Sequence, residues 1–277
     1  MPLVCFRWTL GRNSEITRGV KAYLVQSNPV WEDKLANFDR VRRLVEGVEI
    51  VPNSLVVLPE MFATGFSFDL TKTLEPDPSP TQTFLSELAI DHRVTVVGGM
   101  VRAGKHSKGR NEAVVIGPSG ELMARYCKMH PLTFSGETES HEKGENLVLF
   151  EWGGFVASPF ICYDLRFPEV FRRSVKRGAE LLVIIALWPL SRVEHWTALL
   201  TARAIENQAW VIGVNRCGTE PKVEYPGRSQ VVDPKGNVVL DAGLTEGIAS
   251  TEIDRAVLTQ WRNEFPALPD MRFDLAD

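Results

Sequence analysis

The sequence predicts an α/β fold in which helices cover a mixed β-sheet. Short apolar strands alternate with amphipathic helices along almost the whole chain, and this order is typical of a sheet covered by helices. Glycine-containing turns such as residues 117–120 join some neighbouring strands as hairpins, so the sheet is not purely parallel. No linker, repeat or low-complexity segment divides the chain, and 277 residues suit one large domain.

The strands are predicted from short apolar or alternating runs that turn residues bound on both sides. Hairpin turns at residues 117–120 and at Gly153-Gly154 each separate two such runs, and a turn at residues 233–236 precedes another. The predicted strands lie at residues 21–26, 55–58, 94–100, 113–116, 121–127, 148–150, 155–161, 180–187, 210–214, 229–232, 238–240 and 248–253.

The helices are predicted from apolar side chains spaced three or four residues apart. In the first helix, Phe38, Val41 and Val45 lie on one stripe. Pro168 suits the first turn of the third helix, and Gly178 suits its end. The predicted helices lie at residues 31–47, 80–92, 168–177 and 192–206.

Residues 1–20 are predicted to be an N-terminal extension of uncertain status, or the result of a start placed too early. A single domain is predicted over residues 21–277. The first ten residues are apolar but lack a basic beginning and a small-residue cleavage site, so a signal or transit peptide is the weaker alternative.

Composition indicates a soluble globular protein. Hydrophobic residues make up 44% and charged residues 24%, and the net charge of −4 gives no reason to expect a nucleic-acid partner. The longest apolar run, residues 181–190, is too short for a membrane span. Four cysteines form no CxxC pair and five histidines show no metal-ligand spacing, so we expect a reduced, cytoplasmic protein without a metal.

Cys162 ends an apolar run and precedes a turn that leads into the helix at Pro168. A thiol in this position lies at the carboxyl edge of a sheet, where the sites of open α/β sheets gather. A nearby helix N-terminus would favour the thiolate over the thiol. Because a lone cysteine is more often structural, the interpretation of Cys162 as a nucleophile depends on two other strand ends.

Glu60 and Lys128 follow two other predicted strands. Pro59 marks the end of the first of these strands, and Phe66 contributes to the apolar surroundings of Glu60. A carboxylate there could act as a general base, and a lysine could stabilise a developing oxyanion. Each residue alone could equally be a solvated charge, but with Cys162 they form a candidate catalytic set.

Glu60, Lys128 and Cys162, each at a strand end and in this chain order, resemble the catalytic Glu, Lys and Cys of the nitrilase superfamily of carbon–nitrogen hydrolases. The resemblance covers nearly the whole chain from Lys21 to Asp270. Several longer motifs are similar to the ω-amidase branch of that superfamily: His195-Trp196, residues 199–200, residues 202–208, Val214-Asn215-Arg216, residues 225–229 and residues 128–137.

This resemblance implies a four-layer α-β-β-α sandwich that is usually paired with a second subunit, so we expect a homodimer or a higher homo-oligomer. It implies hydrolysis of the terminal amide of a small dicarboxylic monoamide, such as 2-oxoglutaramate or 2-oxosuccinamate, to an acid and ammonia without a cofactor. Cys162 would be the nucleophile that forms a thioester. Glu60 would be the base and then the acid. Lys128 and the backbone N–H of Tyr163 would hold the oxyanion.

Glu137 is the closest match to a second glutamate of the family, with a role in positioning Lys128 or the substrate amide. Glu139 and Glu142 are rivals in the same acidic stretch, and a solvated loop is a further alternative for Glu137. Structural ion pairs or helix packing explain the charged substrate-binding candidates equally well. The substrate-binding candidates are Phe66, Arg166, Trp188, Arg192 and His195.

Two positions depart from this branch and leave the substrate preference open. Leu187 stands where relatives usually carry Asn before Trp-Pro, and Ser140-His141 stands where they usually carry His-Tyr; we expect both positions to border the pocket. Another aliphatic amidase or an N-carbamoyl amino acid hydrolase is therefore an alternative. Outside the enzyme class, the alternative is an inactive binding protein on the same scaffold, against which the presence of all three catalytic residue types argues.

Two further cysteines are weaker candidates for the nucleophile. Cys217 could lie near the same sheet edge, but no base motif accompanies it. Cys127 directly precedes Lys128, so the alternation of a strand should direct its side chain to the opposite face. Cys162 is therefore predicted to be the reactive thiol.

Overall fold

The computed structural model describes residues 19–272. Residues 1–18, which hold most of the predicted N-terminal extension and Cys5, lie outside the described residues. The described strands are β1 (Val20–Gln26), β2 (Leu55–Val57), β3 (Thr95–Ala103), β4 (Gly109–Ile116), β5 (Leu122–Cys127), β6 (Phe150–Trp152), β7 (Phe155–Ile161), β8 (Leu181–Ala186), β9 (Trp210–Asn215), β10 (Cys217–Glu220), β11 (Val223–Pro226), β12 (Gln230–Val232), β13 (Val238–Asp241) and β14 (Gly247–Ile253).

The α-helices fall where the predictions placed them, with three additions. All four predicted helices are present, and one of them, at residues 80–92, has the predicted bounds. The α-helices are α1 (Lys34–Glu46), α2 (Leu70–Thr73), α3 (Pro80–His92), α4 (Glu137–Ser140), α5 (Pro168–Lys176), α6 (Val193–Asn207) and α7 (Arg255–Glu264).

Two six-stranded mixed sheets form the centre of the fold. The first has the order β14-β1-β2-β3-β4-β5, and β1, β2 and β3 are parallel in it. The second has the order β13-β12-β9-β8-β7-β6, with β7, β8 and β9 parallel. The strand pattern alone indicated a mixed sheet, and the structure divides the strands between two.

Alternating side chains of the first sheet serve two different cores. In β1, Leu24 belongs to the core between the sheets, together with Phe160 of the second sheet. Its neighbours Tyr23 and Val25 point the other way and pack with apolar residues of α1 and α3. On the far side, α5 and α6 bury residues such as Phe171 against the second sheet. These four layers confirm the predicted α-β-β-α sandwich.

Some elements differ from the prediction for local reasons. The first helix begins at Lys34 rather than at residue 31, because the side chain of Asp33 accepts a hydrogen bond from the backbone N–H of Ala36 and so caps the helix. The helix α7 was missed because it is mostly polar and buries only Leu258. The hairpin β10–β11 was missed because its first strand carries Gly218 and little apolar character.

The strand directions bring three strand ends to one edge of the sandwich. The strand β4 is antiparallel to both β3 and β5, so β5 runs in the same direction as β2 and β3. Glu60 follows β2 and Lys128 follows β5 in the first sheet, and Cys162 follows β7 in the second. The two packed sheets therefore present the three residues toward one another. None of the helices between residues 19 and 272 combines the length and apolar character that a membrane span requires.

Candidate active site

Lys128 lies between two buried carboxylates. Its Nζ atom is 2.9 Å from Glu60 Oε1 and 2.9 Å from Glu137 Oε2. The side chains of Lys128 and Glu60 are 0% exposed and that of Glu137 is 1% exposed. A direct contact supports the predicted role of Glu137 in positioning Lys128, because both carboxylate oxygens of Glu137 accept hydrogen bonds from the ammonium.

The turn that carries Glu60 depends on a close backbone approach. Met61, directly after Glu60, has a φ of 41°, in the left-handed region. Gly99 of the adjacent strand β3 lies against this turn, and a Cβ atom at Gly99 would come within 2.6 Å of Glu60 Cα. A side chain at Gly99 would therefore displace the backbone that aims Glu60 at the site.

Cys162 lies in a strained turn that Asp164 holds. Its φ is 47°, and it begins a 3-10 turn over Cys162–Arg166. The buried carboxylate of Asp164 accepts hydrogen bonds from the backbone N–H of Ile161 at 3.0 Å and from the Tyr126 hydroxyl at 2.8 Å. Asp164 also accepts the backbone N–H of His130 at 2.9 Å. Asp164 thereby ties the turn of Cys162 to the segment around Lys128.

The surroundings of Cys162 favour the thiol over the thiolate, contrary to the expectation from a nearby helix N-terminus. Burial raises the pKa of Cys162 well above its ordinary value, and the negative charge of Glu60 raises this pKa further, although Lys128 opposes both effects. The helix α5 begins only at Pro168, after the 3-10 turn. A nucleophilic thiolate at this site therefore requires transfer of the proton to a base.

The opposite charges of Lys128 and Glu137 stabilise each other. Burial alone would lower the pKa of the Lys128 ammonium, but Glu137 and Glu60 outweigh it and raise this pKa well above its ordinary range. Burial would likewise raise the pKa of Glu137, but Lys128, the backbone N–H of Leu132 and the Asn111 amide lower it instead. Lys128 and Glu137 are therefore both charged at neutral pH.

Asn111 is a site residue that the sequence analysis missed. Its Nδ2 atom donates to Glu60 Oε1 at 2.7 Å and to Glu137 Oε1 at 3.0 Å, and its backbone carbonyl accepts from the backbone N–H of Lys128 at 2.9 Å. Asn111 lies in β4, in a stretch that precedes the apolar run and was left outside the predicted strand. The signal available in the sequence was the position of this polar residue just before the apolar run at residues 113–116.

The rivals of Glu137 are held elsewhere. Glu139 is exposed, and Glu142 pairs with Arg110 at 3.4 Å and accepts a hydrogen bond from the backbone of Lys105. Glu137 is turned inward because α4 begins with it and its side chain accepts the backbone N–H of Leu132. The interpretation of Glu137 as a solvated loop residue is therefore wrong.

A cavity of about 580 Å³ opens next to Cys162. Its wall includes Tyr163 and four of the five substrate-binding candidates: Phe66, Arg166, Trp188 and Arg192. The hairpin β10–β11 and its turn add wall residues that the sequence analysis did not identify: Lys222, Val223, Glu224 and Tyr225. A cavity of this size suits a small organic substrate.

Arg166 is held across the cavity wall by aromatic rings. Its guanidinium lies 4.8 Å from the ring centre of Trp188 and 6.0 Å from that of Tyr163. His195, in contrast, is exposed on α6, and its Nδ1 atom is 3.1 Å from Arg166 Nη2. His195 therefore contacts Arg166 and is absent from the wall of this cavity, so its role as a direct substrate ligand stays a prediction.

The two departures from the family pattern fall in different places. Leu187 lies on the cavity wall, its backbone N–H donates to Glu60 Oε2 at 2.9 Å, and its carbonyl oxygen is 3.8 Å from Cys162 Sγ. His141 is buried at the end of α4, where it bridges to Gly109 and lines a separate cavity. The expectation that both positions border the pocket is right for Leu187 and wrong for His141.

The other described cysteines are buried and unpaired by disulfides. Burial raises the pKa of Cys127 to about 12 and that of Cys217 to about 11. Neither thiol contacts the cavity beside Cys162. Between residues 19 and 272, no group of three or more His, Cys, Asp or Glu side chains is arranged to hold a metal ion.

The fold and the site together define a class of protein: a four-layer α-β-β-α enzyme with Glu, Lys and Cys gathered at one edge of two packed sheets. This chain belongs to the carbon–nitrogen hydrolase family, whose model matches residues 21–263.

Known proteins agree with this assignment. The chain is 37% identical over 222 residues to 2-oxoglutaramate amidase of Bacillus subtilis (strain 168), a match that covers 80% of this chain and 86% of that protein. It is 34% identical to omega-amidase YafV of Escherichia coli (strain K12), covering 91% of this chain and 96% of that protein.

A solved structure agrees as well. XC1258 from Xanthomonas campestris, a CN-hydrolase superfamily protein with an arsenic adduct in its active site, matches with a TM-score of 0.86 and 32% identity, covering 92% of this chain and 98% of that chain. The predicted resemblance to the ω-amidase-like branch of the nitrilase superfamily is thus confirmed.

Proposed function

We propose that this protein is an ω-amidase-like amidohydrolase. It releases ammonia from the terminal amide of a small dicarboxylic monoamide, of the 2-oxoglutaramate or 2-oxosuccinamate kind, through a thioester on Cys162. The observation that carries the proposal is the buried ion-paired set of Glu60, Lys128 and Glu137, which interacts with the thiol of Cys162 on the wall of the cavity. Relatives named as 2-oxoglutaramate amidase and omega-amidase support the choice of substrate.

Acylation begins with a proton transfer. Because burial keeps Cys162 protonated, Glu60 takes the thiol proton as Sγ attacks the amide carbon. Leu187 lies between the two groups, with its N–H on Glu60 Oε2 and its carbonyl near Cys162 Sγ. The proton then passes from Glu60 to the amide nitrogen, the C–N bond breaks, and ammonia leaves the thioester behind.

The oxyanion that forms during this attack needs donors. Lys128 supplies a fixed positive charge, and the backbone N–H of Tyr163, directly after the nucleophile, supplies a second donor in the proposed mechanism. One such donor is worth about 2.7–4 kcal/mol of the barrier. Glu137 and Asn111 hold Lys128 and Glu60 in place, so little reorganisation is required when charge develops.

Deacylation reverses the proton path. Glu60 takes a proton from water, the resulting hydroxide oxygen attacks the thioester carbon, and the C–S bond breaks. The proton returns to the sulfur of Cys162, and the carboxylic acid product leaves. No external oxidant, reductant or cofactor takes part in this balance.

The distal carboxylate of the substrate meets cationic side chains on the cavity wall. Arg166, Arg192 and Lys222 all line the cavity that holds Cys162. Arg166 is fixed between aromatic rings, and the Arg192 guanidinium lies 5.5 Å from the ring centre of Phe134. A guanidinium held in this way suits a planar carboxylate.

The test is ammonia release over a small panel: a dicarboxylic monoamide, the neutral amide of the same chain length, an N-carbamoyl amino acid and a simple nitrile. We expect the monoamide to have the highest kcat/KM and Cys162→Ala to abolish its turnover. Intact mass spectrometry after rapid quenching should show an acyl group on Cys162.

Other results decide for the alternatives. Preferred turnover of the N-carbamoyl amino acid or of the neutral amide would replace the substrate class, and faster turnover of the nitrile would remove the ω-amidase assignment. An absence of turnover and of acyl-enzyme with every compound would favour an inactive binding protein.

A further inference from the structure

The hairpin β10–β11 is a separate two-stranded sheet that leaves both six-stranded sheets. Its second strand and its turn place Lys222, Val223, Glu224 and Tyr225 on the wall of the cavity beside Cys162. A short hairpin of this kind is marginally stable by itself. Contacts outside its own ladder must therefore fix its position relative to the catalytic set.

Three buried side chains supply such contacts, and we call Arg216, Glu220 and Tyr225 the hairpin anchor. The Arg216 side chain is 0% exposed and that of Glu220 is 5% exposed, and the two form an ion pair. The Arg216 guanidinium lies 4.4 Å from the ring centre of Tyr225, and the Tyr225 hydroxyl donates to Glu220 Oε2 at 2.8 Å. The anchor therefore joins the residue before β10, the end of β10 and the middle of β11.

Glu220 also reaches across to the turn that follows Glu60. Its Oε1 atom accepts the backbone N–H of Phe66 at 3.0 Å. The approach is close: Gly65 has a φ of 74°, and a Cβ atom there would lie 2.6 Å from Glu220 Oε1. The ring of Phe66 in turn lies 5.3 Å from Lys128 Nζ and lines the cavity. One carboxylate thus connects the hairpin wall with the segment beside the catalytic lysine.

Two members of the anchor, Arg216 and Tyr225, keep their protonation states near neutral pH. Burial lowers the pKa of Arg216, whereas the negative charge of Glu220 raises it. The guanidinium stays charged, as guanidinium groups do in proteins. Burial and the charge of Glu220 raise the pKa of Tyr225, so the phenol remains a hydrogen-bond donor. A buried, fully paired network of this kind often specifies one geometry rather than adding stability.

We propose that the hairpin anchor sets the distance between the hairpin wall and the catalytic set, and that Glu220 is a positioning residue for substrates that extend beyond the amide. The inference rests on the proposed function for the identity of the reacting amide. Glu220 itself is absent from the cavity wall, so it acts through Tyr225 and Phe66, which are both on the wall.

The test compares Glu220→Gln and Tyr225→Phe with the wild type on two substrates of equal chain length, a dicarboxylic monoamide and a neutral amide. For the monoamide we expect KM to rise about tenfold, as for a binding group that is misplaced by less than an ångström, with kcat reduced less than about threefold. For the neutral amide, which has no carboxylate to contact a cation such as Lys222 on the hairpin wall, KM should change less than about threefold.

A double-mutant cycle and a matched control sharpen the comparison. Because both substitutions alter the same Tyr225–Glu220 contact, their effects on KM should be strongly non-additive in the double variant. The control is Glu180→Gln, which removes a carboxylate that pairs with Arg255 far along the chain from the hairpin. We expect this control to leave both KM values unchanged.

A second readout does not depend on turnover. The rate of Cys162 alkylation is measured by peptide mass spectrometry with iodoacetamide and with the longer, anionic N-iodoacetyl-β-alanine. We expect Glu220→Gln and Tyr225→Phe to slow the longer reagent by several-fold relative to iodoacetamide. This selectivity would hold even if no amide on the panel were a substrate, so a failure of the proposed function and a failure of the inference can be told apart.

Two outcomes would overturn the inference. The first is an equal loss for both substrates and both reagents, which would show that the anchor only maintains the fold. The second is unchanged selectivity in Tyr225→Phe, the milder variant that retains the Arg216–Glu220 pair and should fold even if Glu220→Gln does not.

Discussion

The two glutamates around Lys128 differ in what they contact besides the ammonium. Glu60 Oε2 accepts the N–H of Leu187, whose carbonyl oxygen lies beside Cys162 Sγ. Glu137 Oε2 instead accepts the backbone N–H of Leu132. At the level of single residues, this difference predicts a proton-transfer role for Glu60 and a positional role for Glu137.

Glu60→Gln and Glu137→Gln should therefore differ in size and in kind. Glu60→Gln removes the only proposed base, so we expect a loss of turnover near the upper end of general-base effects, about 10⁴-fold. Glu137→Gln keeps a hydrogen-bonding side chain beside Lys128 and should cost about 10²-fold, as for a misplaced group. Rapid-quench measurement should show that Glu60→Gln slows both thioester formation and thioester hydrolysis. Equal, complete loss in both variants would show that Glu137 shares the proton chemistry.

Glu60→Gln should also lower the pKa of the Cys162 thiol. Burial raises the pKa of Cys162 first, and the charge of Glu60 raises it further while Lys128 lowers it. Removing the charge of Glu60 should therefore shift the pH dependence of Cys162 alkylation to lower pH, although amide turnover is lost. Iodoacetamide labelling over a pH series, with mass mapping of Cys162, measures the shift. A shift to higher pH would contradict the charge arrangement.

Iodoacetamide should also distinguish the three described cysteines. Cys162 adjoins a cavity, whereas Cys127 and Cys217 are buried away from it. We expect Cys162 to be alkylated first and its alkylation to abolish activity. Labelling of Cys217 that parallels the loss of activity would show that the nucleophile assignment is wrong.

Strand β3 is the element that lets the turn of Glu60 approach. Gly98 and Gly99 are neighbours in this strand, but they face opposite sides of the sheet. A Cβ atom at Gly99 would meet the backbone of Glu60 and Met61, while one at Gly98 would meet the flexible end of Leu85 at 3.0 Å. The two positions therefore form a matched pair for testing the role of the strand.

Gly99→Ala should lower activity much more than Gly98→Ala. Backbone atoms cannot rotate away, so we expect Gly99→Ala to displace Glu60, with a loss of about 10²-fold in kcat and a destabilisation of about 1–3 kcal/mol. Gly98→Ala should affect the free energy of unfolding alone, because Leu85 can shift. Kinetics and urea unfolding of both variants provide the comparison, and a similar kcat in the two would contradict the proposed role of Gly99.

At the scale of the whole molecule, the site places several charges in the interior between two packed sheets. Lys128 carries the positive charge that pairs with both carboxylates. Removing one partner of a buried ion pair leaves an uncompensated charge and costs about 3–5 kcal/mol. The stability of the fold should therefore depend on Lys128 in a manner that varies with pH.

Lys128→Met should destabilise the protein by about 3–5 kcal/mol at pH 8. In the wild type the pKa of Glu137 is lowered, so its contribution is complete above the ordinary range of a glutamate and is lost as the pH falls below that range. In the variant, burial acts without Lys128 and should raise this pKa, so the folded state gains stability as the pH falls. We expect the difference from wild type to narrow by about 1 kcal/mol or more at pH 5.

Chemical denaturation of both proteins at pH 8 and pH 5 measures this difference. Lys235→Met is the matched control, because the Lys235 side chain is 42% exposed and its ammonium makes a long ion pair of 3.8 Å with Glu264 and a contact at 5.1 Å with the ring centre of Trp261. The control should be nearly neutral at both pH values. A deficit of Lys128→Met that grows toward pH 5 would contradict the ion-pair arrangement.

The assembly of the protein remains a prediction from family resemblance. The expected homodimer or higher homo-oligomer can be checked by sedimentation of the purified protein over a range of concentrations. A monomer at all concentrations would show that this chain departs from the family in its assembly.

Much of the fold was predictable from local sequence patterns. The pattern of apolar residues placed the predicted strands and the four helices α1, α3, α5 and α6, because side chains buried against a sheet must repeat with the period of their element. Elements that bury little were missed, as α7 shows with Leu258 alone in its buried set. The division into two sheets came from family resemblance, since pairing between strands depends on residues that are distant in the chain.

The candidate site, like the fold, was predictable from the sequence only in part. Strand ends and motifs were enough to identify Glu60, Lys128, Cys162 and Glu137, since each follows a recognisable local pattern. Only the tertiary structure shows that Asn111 joins both carboxylates. These bonds link residues 26 and 51 positions apart, and no local pattern encodes such a contact.

The sequence by itself thus determined the family through motifs of fixed spacing, and the resemblance to that family gave the layers of the fold and the candidate reacting groups. The tertiary structure alone decided the protonation of Cys162, the contact of His195 with Arg166, and the connection from Glu220 to Phe66. The physical reason is that burial, charge and hydrogen bonding act through space. Phe66 and Glu220 are 154 residues apart in the chain, yet the backbone nitrogen of Phe66 lies 3.0 Å from Glu220 Oε1.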